Sequence, residues 1–349
     1  MTTDLPELLD QGPVICAEGY LFELERRGYL QAGSFVPEVA LEHPDILQQV
    51  HRDFVNAGSD VVLAFTYNGH REKMRIIGKE DLLEPLNRSA LQAAKKAAAE
   101  FSPNRPLVAG NLSNTNIFNP EDRQTEKQVR EMFTEMVGWC TDEGADYVIG
   151  ETFYYAKEAA IALDVIKEAG FRAVITLGVM AGGNLLDGFT PVDACRLLED
   201  SGADVVGLNC FRGPGTMLDM AVDIRKHIST HVAALPVTYR TTPQEPTFFN
   251  IKDRTRSAGP DHGRCFPDAL EPLYCNRQEI ADFAEKAFGR GIHYLGLCCG
   301  CNPAFLRAMA EAVGKRTSNS KYSPDISKHF LYGNDPALKR HITDQGSKA

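Results

Sequence analysis

Three cysteines, Cys298, Cys299 and Cys301, fall within four consecutive positions of the segment GLCCGCNP, residues 296–303. Adjacent thiols are poorly suited to pairing with each other, because a disulfide between neighbours strains the peptide bond that joins them. Thiolates are, however, good ligands for zinc, which binds sulfur at about 2.3 Å. The segment therefore has two interpretations: these are buried thiols of a hydrophobic core, or they bind a metal ion.

A further cysteine, Cys210, ends the apolar run GLNC at residues 207–210, where Asn209 could orient a site. Like Cys298 and Cys299, it follows a strand-like segment. If these strands end at one rim, the three thiolates leave a fourth metal position open to a substrate, which is the arrangement of a catalytic zinc. Five cysteines belong to neither of these two motifs and are interpreted as core residues: Cys16, Cys140, Cys195, Cys265 and Cys275.

The elements that must position these thiols follow a repeated pattern. A helical stretch ends in Gly with a small or acidic residue, and a short continuous apolar run follows. Glycine here ends the helix in a left-handed conformation, and the apolar run is typical of a parallel strand that is buried on both faces. The pattern occurs at 56–66, 142–152, 168–178, 200–210 and 289–299, and further apolar runs lie at 13–18, 105–111 and 234–240.

Eight strands alternating with helices predict the α/β class and a (β/α)8 TIM barrel, with a doubly wound open sheet as the alternative. In such a barrel the active site lies at the carboxyl ends of the strands. Residues 1–315 are predicted to form the barrel. Residues 316–349 are polar with scattered Tyr and Phe. This C-terminal tail is predicted to pack on a neighbouring subunit of a homo-oligomer.

Composition excludes several classes of protein. The net charge of −10 argues against nucleic acid as a partner, because a phosphate backbone needs a basic surface. No apolar stretch approaches the roughly 20 residues that span a bilayer, and the N-terminus lacks the apolar core of a signal peptide. Nine irregularly spaced cysteines without a secretory signal indicate a reduced, cytoplasmic setting.

The paired motifs GLNC (207–210) and GLCCG (296–300) resemble the zinc signature of the homocysteine S-methyltransferase family. The stretches FELERRGYLQAG (22–33) and PEVALEHPDILQQVHRDFVNAGSDV (37–61) are similar to its betaine-using branch. The resemblance extends through most of residues 12–312. It implies a (β/α)8 barrel in which Cys210, Cys298 and Cys299 bind Zn²⁺.

The resemblance also implies an activity: methyl transfer from glycine betaine to the zinc-bound thiolate of homocysteine, which yields dimethylglycine and methionine. A quaternary ammonium cannot donate hydrogen bonds, so aromatic faces are expected to bind it. Phe35 is a candidate because the betaine-using branch has an aromatic residue at that place. Further candidates lie at the strand ends: Tyr67, Phe153, Tyr154, Tyr155 and Tyr239. Glu18 and Glu151 are the candidates for the acceptor's ammonium group, and Asn209 is expected to orient the site.

Two positions depart from the betaine-using pattern. Asn68 stands where those enzymes have a tyrosine, with Tyr67 adjacent, and Tyr154 stands where they have a glutamate that binds the acceptor's amine. Both changes concern substrate recognition and neither concerns the metal. Methyl transfer to a thiolate is therefore a firmer expectation than the identity of donor or acceptor.

Three alternatives stay open. The donor could be a dimethylsulfonio compound, another betaine or S-methylmethionine, and the acceptor could be another thiol. A non-catalytic barrel could instead hold a structural metal or sense oxidants. A closed structural site normally has four protein ligands, and Cys301 could be the fourth.

Overall fold

The computed structural model describes residues 4–33, 36–256 and 263–337, and its eight parallel strands close into a barrel in chain order. The prediction of a (β/α)8 barrel is confirmed, and the open sheet is excluded. The strands are β1 Val14–Ala17, β2 Val61–Leu63, β3 Leu107–Ser113, β4 Tyr147–Phe153, β5 Ala173–Leu177, β6 Val205–Asn209, β7 His231–Leu235 and β8 Tyr294–Leu297.

Buried residues, most of them apolar, form both faces of the barrel wall. Seven strands are buried along their whole length, and β7 is buried after its first residue. Closure comes from β1 pairing with β8, for example Cys16 with Gly296. A Cβ on Gly296 would lie 2.0 Å from the Cys16 carbonyl oxygen, so no larger residue fits here without moving the strand.

Helices surround the barrel and supply most of its outer layer. They are α1 Leu5–Gln11, α2 Tyr20–Arg26, α3 Val39–Glu42, α4 Pro44–Ala57, α5 Arg71–Ile76, α6 Leu83–Ala99, α7 Arg123–Glu143, α8 Ala156–Glu168, α9 Pro191–Asp200, α10 Pro214–His227, α11 Arg277–Phe288 and α12 Pro303–Ala312. Gly58 and Gly144 end α4 and α7 in the left-handed conformation that the repeated pattern predicts.

The predicted seventh strand, residues 234–240, was placed too late in the chain. The strand covers His231–Leu235 and ends before Pro236, which has no amide hydrogen for the ladder. Beyond it, the Val237 amide donates to the Arg212 carbonyl, and the Thr238 amide donates to the Cys299 carbonyl. Tyr239 therefore does not end a strand; it lies in the long segment between β7 and α11.

The first part of the tail continues from α12 along the outside of the barrel. A short 3₁₀ helix, Ser318–Tyr322, lies close to α12, where Arg307 donates to the Asn319 carbonyl at 3.2 Å. Farther along, large apolar side chains are exposed at Tyr322, Ile326, Phe330 and Tyr332. Residues 338–349 of the tail lie outside the described residues. None of the helices in the described ranges has the length and apolar character needed to cross a membrane.

Candidate metal and substrate site

The sulfurs of Cys210, Cys298 and Cys299 meet at the carboxyl ends of β6 and β8. Cys299 Sγ lies 3.6 Å from Cys210 Sγ and 4.0 Å from Cys298 Sγ. The three atoms all lie within 4.8 Å of one another. Tetrahedral ligands at 2.3 Å from one ion would be about 3.8 Å apart. The three thiols are therefore spaced to bind one metal ion.

Backbone contacts set this spacing. The Cys210 amide donates to the Leu235 carbonyl, and the Cys298 amide donates to the Pro236 carbonyl. The end of β7 therefore holds Cys210 after β6 and Cys298 after β8 in position. Cys210 has a φ of 58°, in the left-handed region that a non-glycine residue rarely adopts. Such strain at the sulfur cluster is typical of a functional site.

The pKa values of the three thiols are shifted in opposite directions. Burial raises the pKa of Cys210, but hydrogen bonds from Cys298 and Cys299 outweigh it and hold that pKa well below its ordinary value. Donating those bonds raises the pKa of both partners. A lowered pKa favours the thiolate, which is the form that binds metal ions.

Cys301 does not join this cluster. Its sulfur is absent from the group of close sulfurs among the described residues, and its side chain is buried in the main hydrophobic core. Gly19 makes room for it, since a Cβ at that position would lie 2.4 Å from Cys301 Cβ. The hypothesis of Cys301 as a fourth metal ligand therefore lacks the geometry it needs.

Two buried carboxylates lie beside the sulfurs and share one amide. Asn209 Nδ2 lies 3.1 Å from Glu18 Oε2, 2.9 Å from Glu151 Oε2 and 2.9 Å from Thr152 Oγ1. Asn111 Nδ2 donates to the second oxygen of Glu151 at 2.5 Å. Oxygens of both carboxylates lie within 4.8 Å of the Cys298 sulfur. The acids are thus held next to the position that a metal-bound thiol would occupy.

The carboxylate pair is incomplete without a ligand. Glu18 Oε1 is buried and finds no hydrogen-bond donor among the described residues. Burial raises the pKa of Glu18 well above its usual range, with the charge of Glu151 as a further cause, and burial raises the pKa of Glu151 to about 8. A cation bound between them would offset both effects and allow both acids to ionise.

These groups open into a cavity of about 220 Å³ at the mouth of the barrel. Aromatic rings form much of its wall. Tyr154 stacks on Phe211 at 5.5 Å between ring centroids, Phe211 meets Phe249 at 4.9 Å, and Phe249 meets Phe266 at 4.8 Å. An aromatic wall beside a sulfur cluster suits a methylated cation, which aromatic faces attract.

The cavity brings together most of the predicted site residues. Its lining includes Glu18, Tyr67, Glu151, Tyr154, Cys210, Cys298 and Cys299, with Asn209 directly behind the carboxylates. Tyr239 is not in the lining: its ring is buried between Phe248 and Tyr274, at centroid distances of 5.8 and 4.9 Å. Phe35 lies outside the described residues.

Two other predicted aromatics also point elsewhere. Phe153 packs against Phe133 of α7, and Tyr155 packs against Phe118, so neither lines the cavity. Conversely, sequence reasoning missed a set of lining residues: Phe22, Lys73, Asn116, Phe211, Phe248, Phe249 and Phe266. For Phe211 a signal existed, since it directly follows the Asn209–Cys210 motif.

The sequence is similar to that of several known proteins. Residues 16–313 match the family model described as homocysteine S-methyltransferase. The chain is 32% identical to betaine–homocysteine S-methyltransferase 1 of Danio rerio, over 94% of this chain and 79% of that protein. It is 29% identical to the S-methylmethionine–homocysteine S-methyltransferase of Pongo abelii, over 96% of this chain and 87% of that protein.

The fold is also found in a solved structure. The metallated form of the homocysteine methyltransferase MmuM from Escherichia coli superposes with a TM-score of 0.67 at 19% identity, covering 87% of this chain and 98% of that chain. At this identity the likeness concerns the barrel fold.

Proposed function

Because the chain belongs to the homocysteine S-methyltransferase family, we propose that it moves a methyl group from glycine betaine to homocysteine, producing dimethylglycine and methionine. The observation that supports glycine betaine as the donor is the aromatic wall of Tyr154, Phe211 and Phe249 next to the three thiols. The betaine-using relative from Danio rerio, at 32% identity, supports the same choice.

We propose zinc as the metal of the sulfur cluster. The residues fit this ion, because three cysteine sulfurs at tetrahedral spacing leave one position for a substrate thiol. Zinc, when bound, would lower the pKa of the homocysteine thiol so that it is a nucleophile at neutral pH. Cys210, Cys298 and Cys299 would be its ligands.

The protein's own side chains would then place the acceptor. Glu18 and Glu151, buried beside Cys298, would bind the ammonium group of homocysteine, and Asn209 would hold both carboxylates in position. The unpartnered oxygen of Glu18 supplies an acceptor for one N–H. This arrangement would fix the amino acid with its sulfur toward the three cysteine sulfurs, and the methyl donor would approach from the cavity.

Positioning accounts for most of the chemistry in this proposal. The sulfur attacks a methyl carbon of the donor, a new S–C bond forms as the C–N bond breaks, and the electron pair stays on nitrogen, which leaves as a neutral amine. No side chain has to accept or donate a proton in this step. Tyr154 and Phe211 are expected to exclude water from the cavity and to align the donor.

The test is to supply zinc-loaded protein with homocysteine and glycine betaine under reducing conditions and to follow both products. Equal formation of methionine and dimethylglycine supports the proposal. Failure of both to form, with zinc bound and the protein folded, excludes glycine betaine and homocysteine as the substrate pair.

A second donor, S-methylmethionine, is favoured by the relative from Pongo abelii, whose name states that activity. A sulfonium centre would also bind the aromatic wall, so the cavity suits either compound. Competition between equal concentrations of the two donors, with dimethylglycine measured against total methionine, decides between them.

We also propose that the protein works as a cytoplasmic homo-oligomer. All nine cysteines are free thiols, as a reducing compartment would maintain. The exposed apolar side chains of Tyr322, Ile326, Phe330 and Tyr332 offer a surface that a second copy could cover. Light scattering on the full chain and on a variant with Phe330 and Tyr332 both changed to Ser tests the assembly.

A further inference from the structure

The cavity carries one cationic side chain among its described lining residues, Lys73. The acids of this lining, Glu18 and Glu151, lie deep in the barrel beside the sulfurs. Lys73 instead belongs to α5, which follows β2 outside the barrel mouth, and its side chain is half-buried. The cavity therefore has two carboxyl groups at its base and a single basic side chain toward its mouth.

The position of Lys73 is fixed by its backbone. His70 caps α5 and accepts a hydrogen bond from the Lys73 amide at 3.4 Å. The turn before it is held by Asn87, whose Nδ2 donates to the Gly69 carbonyl at 2.8 Å. Asn87 and His70 are both buried, so this turn is packed into the protein. The backbone from which the Lys73 side chain extends therefore has a defined position.

Lys73 also differs from its neighbours in its charge partners. Arg71 pairs with Glu135, Arg75 with Glu72, and Lys79 with Glu38. Lys73 forms no ion pair within the parts of the chain that the structure describes. A cation that lines a cavity, while Arg71, Arg75 and Lys79 beside it are paired, is suited to an anionic group of a ligand.

The barrel order places Lys73 opposite the methyl-transfer site. Strands β2 and β6 are four positions apart in a closed ring of eight, so they face each other across the mouth. Lys73 follows β2, whereas Cys210 and Phe211 follow β6. A zwitterionic donor whose cationic methyl group rests against Phe211 would direct its other end toward Lys73.

We propose that Lys73 is the carboxylate-binding residue for the methyl donor. Asn68 and Asn116 line the same cavity after β2 and β3, and their amides can donate to the same carboxylate. The ligand class is a small zwitterion with a methylated onium centre at one end and a carboxylate at the other. Its identity as a methyl donor rests on the proposed function, whereas the binding site for the acid group does not.

A matched pair of sulfonium donors tests the assignment. Dimethylsulfonioacetate and trimethylsulfonium share the methylated centre and differ in the carboxylate. The K73M substitution is expected to raise the KM for dimethylsulfonioacetate roughly tenfold or more, because it removes a hydrogen bond to a charged group. The KM for trimethylsulfonium should stay within about twofold. K73R should recover most of the loss.

The control variant is Arg75→Met on the same helix. Arg75 is exposed, pairs with Glu72 and does not line the cavity, so both donors should behave as with the unchanged protein. An equal rise in KM for both donors in K73M, or no rise for either, overturns the assignment.

A binding measurement separates this inference from the proposed function. Calorimetric titration of zinc-loaded protein with glycine betaine and with tetramethylammonium, with and without methionine present, requires no turnover. The unchanged protein should bind glycine betaine roughly tenfold more tightly, and K73M should abolish that preference. If no methyl transfer is observed but the preference stands, the proposed function fails and the carboxylate site remains. Absence of the preference in the unchanged protein refutes the site.

Discussion

The side-chain nitrogen of Asn209 lies 2.9 Å from a carboxylate oxygen of Glu151. Asn209 directly precedes Cys210 in the chain. The same nitrogen also reaches Glu18, at 3.1 Å. One amide at the end of β6 thus joins the carboxylate pair to the sulfur cluster, so the position of an amino-acid ligand and the position of a metal ion depend on the same strand end.

Replacing Asn209 with Ala should weaken both the fold and acceptor binding. The variant leaves two buried carboxylates without their shared donor, which is expected to lower the free energy of unfolding by about 1–3 kcal/mol. The KM for homocysteine should rise, because Glu18 and Glu151 lose their fixed orientation. Urea unfolding and steady-state kinetics check the two effects. Unchanged stability together with an unchanged KM would contradict the role given to Asn209.

Glu151→Gln tests the ammonium site without changing the shape of the side chain. Loss of the charge should raise the KM for homocysteine roughly tenfold or more, since a charge-assisted hydrogen bond is replaced by a neutral one. The control substrate is 4-mercaptobutanoate, which has the same thiol and carboxylate but no amine. Its KM should not rise. A comparable loss for both thiols would mean that Glu151 acts on the metal or the fold instead.

The clustering of Cys210, Cys298 and Cys299 could be predicted from sequence because their signal is local and repeated. Each thiol follows an apolar run, and eight such runs imply a barrel whose strand ends share one rim. The positions of the two carboxylates could be predicted for the same reason, since Glu151 lies inside β4 and Glu18 directly follows β1. Residues on strands have positions that the fold dictates.

The aromatic wall could not be predicted in the same way. Phe248, Phe249 and Phe266 lie in the long connection between β7 and α11, where no periodic pattern indicates which rings turn inward. Tyr239 shows the opposite error. It was expected at the end of a strand, but Pro236 ends the pairing early, and the ring packs behind Phe248. Loop geometry depends on contacts made far along the chain.

Cys298→Ser is expected to remove the metal and the activity together while leaving the barrel folded. A serine hydroxyl is a far weaker zinc ligand than a thiolate, and the two remaining sulfurs bind the ion less tightly. Metal content by atomic absorption, activity and circular dichroism check this outcome. Cys301→Ser is the control and should retain its metal, because Cys301 lies outside the sulfur cluster. Full activity in Cys298→Ser would exclude the metal assignment.

Phe211→Leu should weaken binding of the cationic donor. The substitution removes the ring that stacks on Tyr154 and meets Phe249, and with it a cation–π contact of about 1–2 kcal/mol. The KM for the donor should therefore rise several-fold, whereas the KM for homocysteine changes little. Phe211→Tyr should preserve binding. Phe153→Leu, which alters an aromatic outside the cavity, is the second control; an equal effect there would point to general loosening of the barrel.

His51 should make the fold sensitive to acid. It is fully buried on α4, with Nδ1 3.0 Å from the Tyr20 hydroxyl and no partner for Nε2 in the described parts of the chain. Burial, with Arg52 adding to it, lowers the pKa of His51 to about 3, whereas an unfolded histidine has a pKa of about 6.5. Between these values the unfolded state binds the extra proton.

The sign of the effect follows from that difference. The stabilising contribution is fully present above pH ~6.5 and declines as the pH falls toward ~3, by about 5 kcal/mol at most. His51→Phe removes this dependence, although losing the Tyr20 hydrogen bond costs about 1 kcal/mol at neutral pH. Urea unfolding of metal-free protein between pH 4 and 8 should therefore give a shallower acid slope for the variant. His227→Phe, an exposed site on α10, should leave the slope unchanged. Parallel curves for His51→Phe and the unchanged protein would show that this histidine takes up its proton without unfolding the barrel.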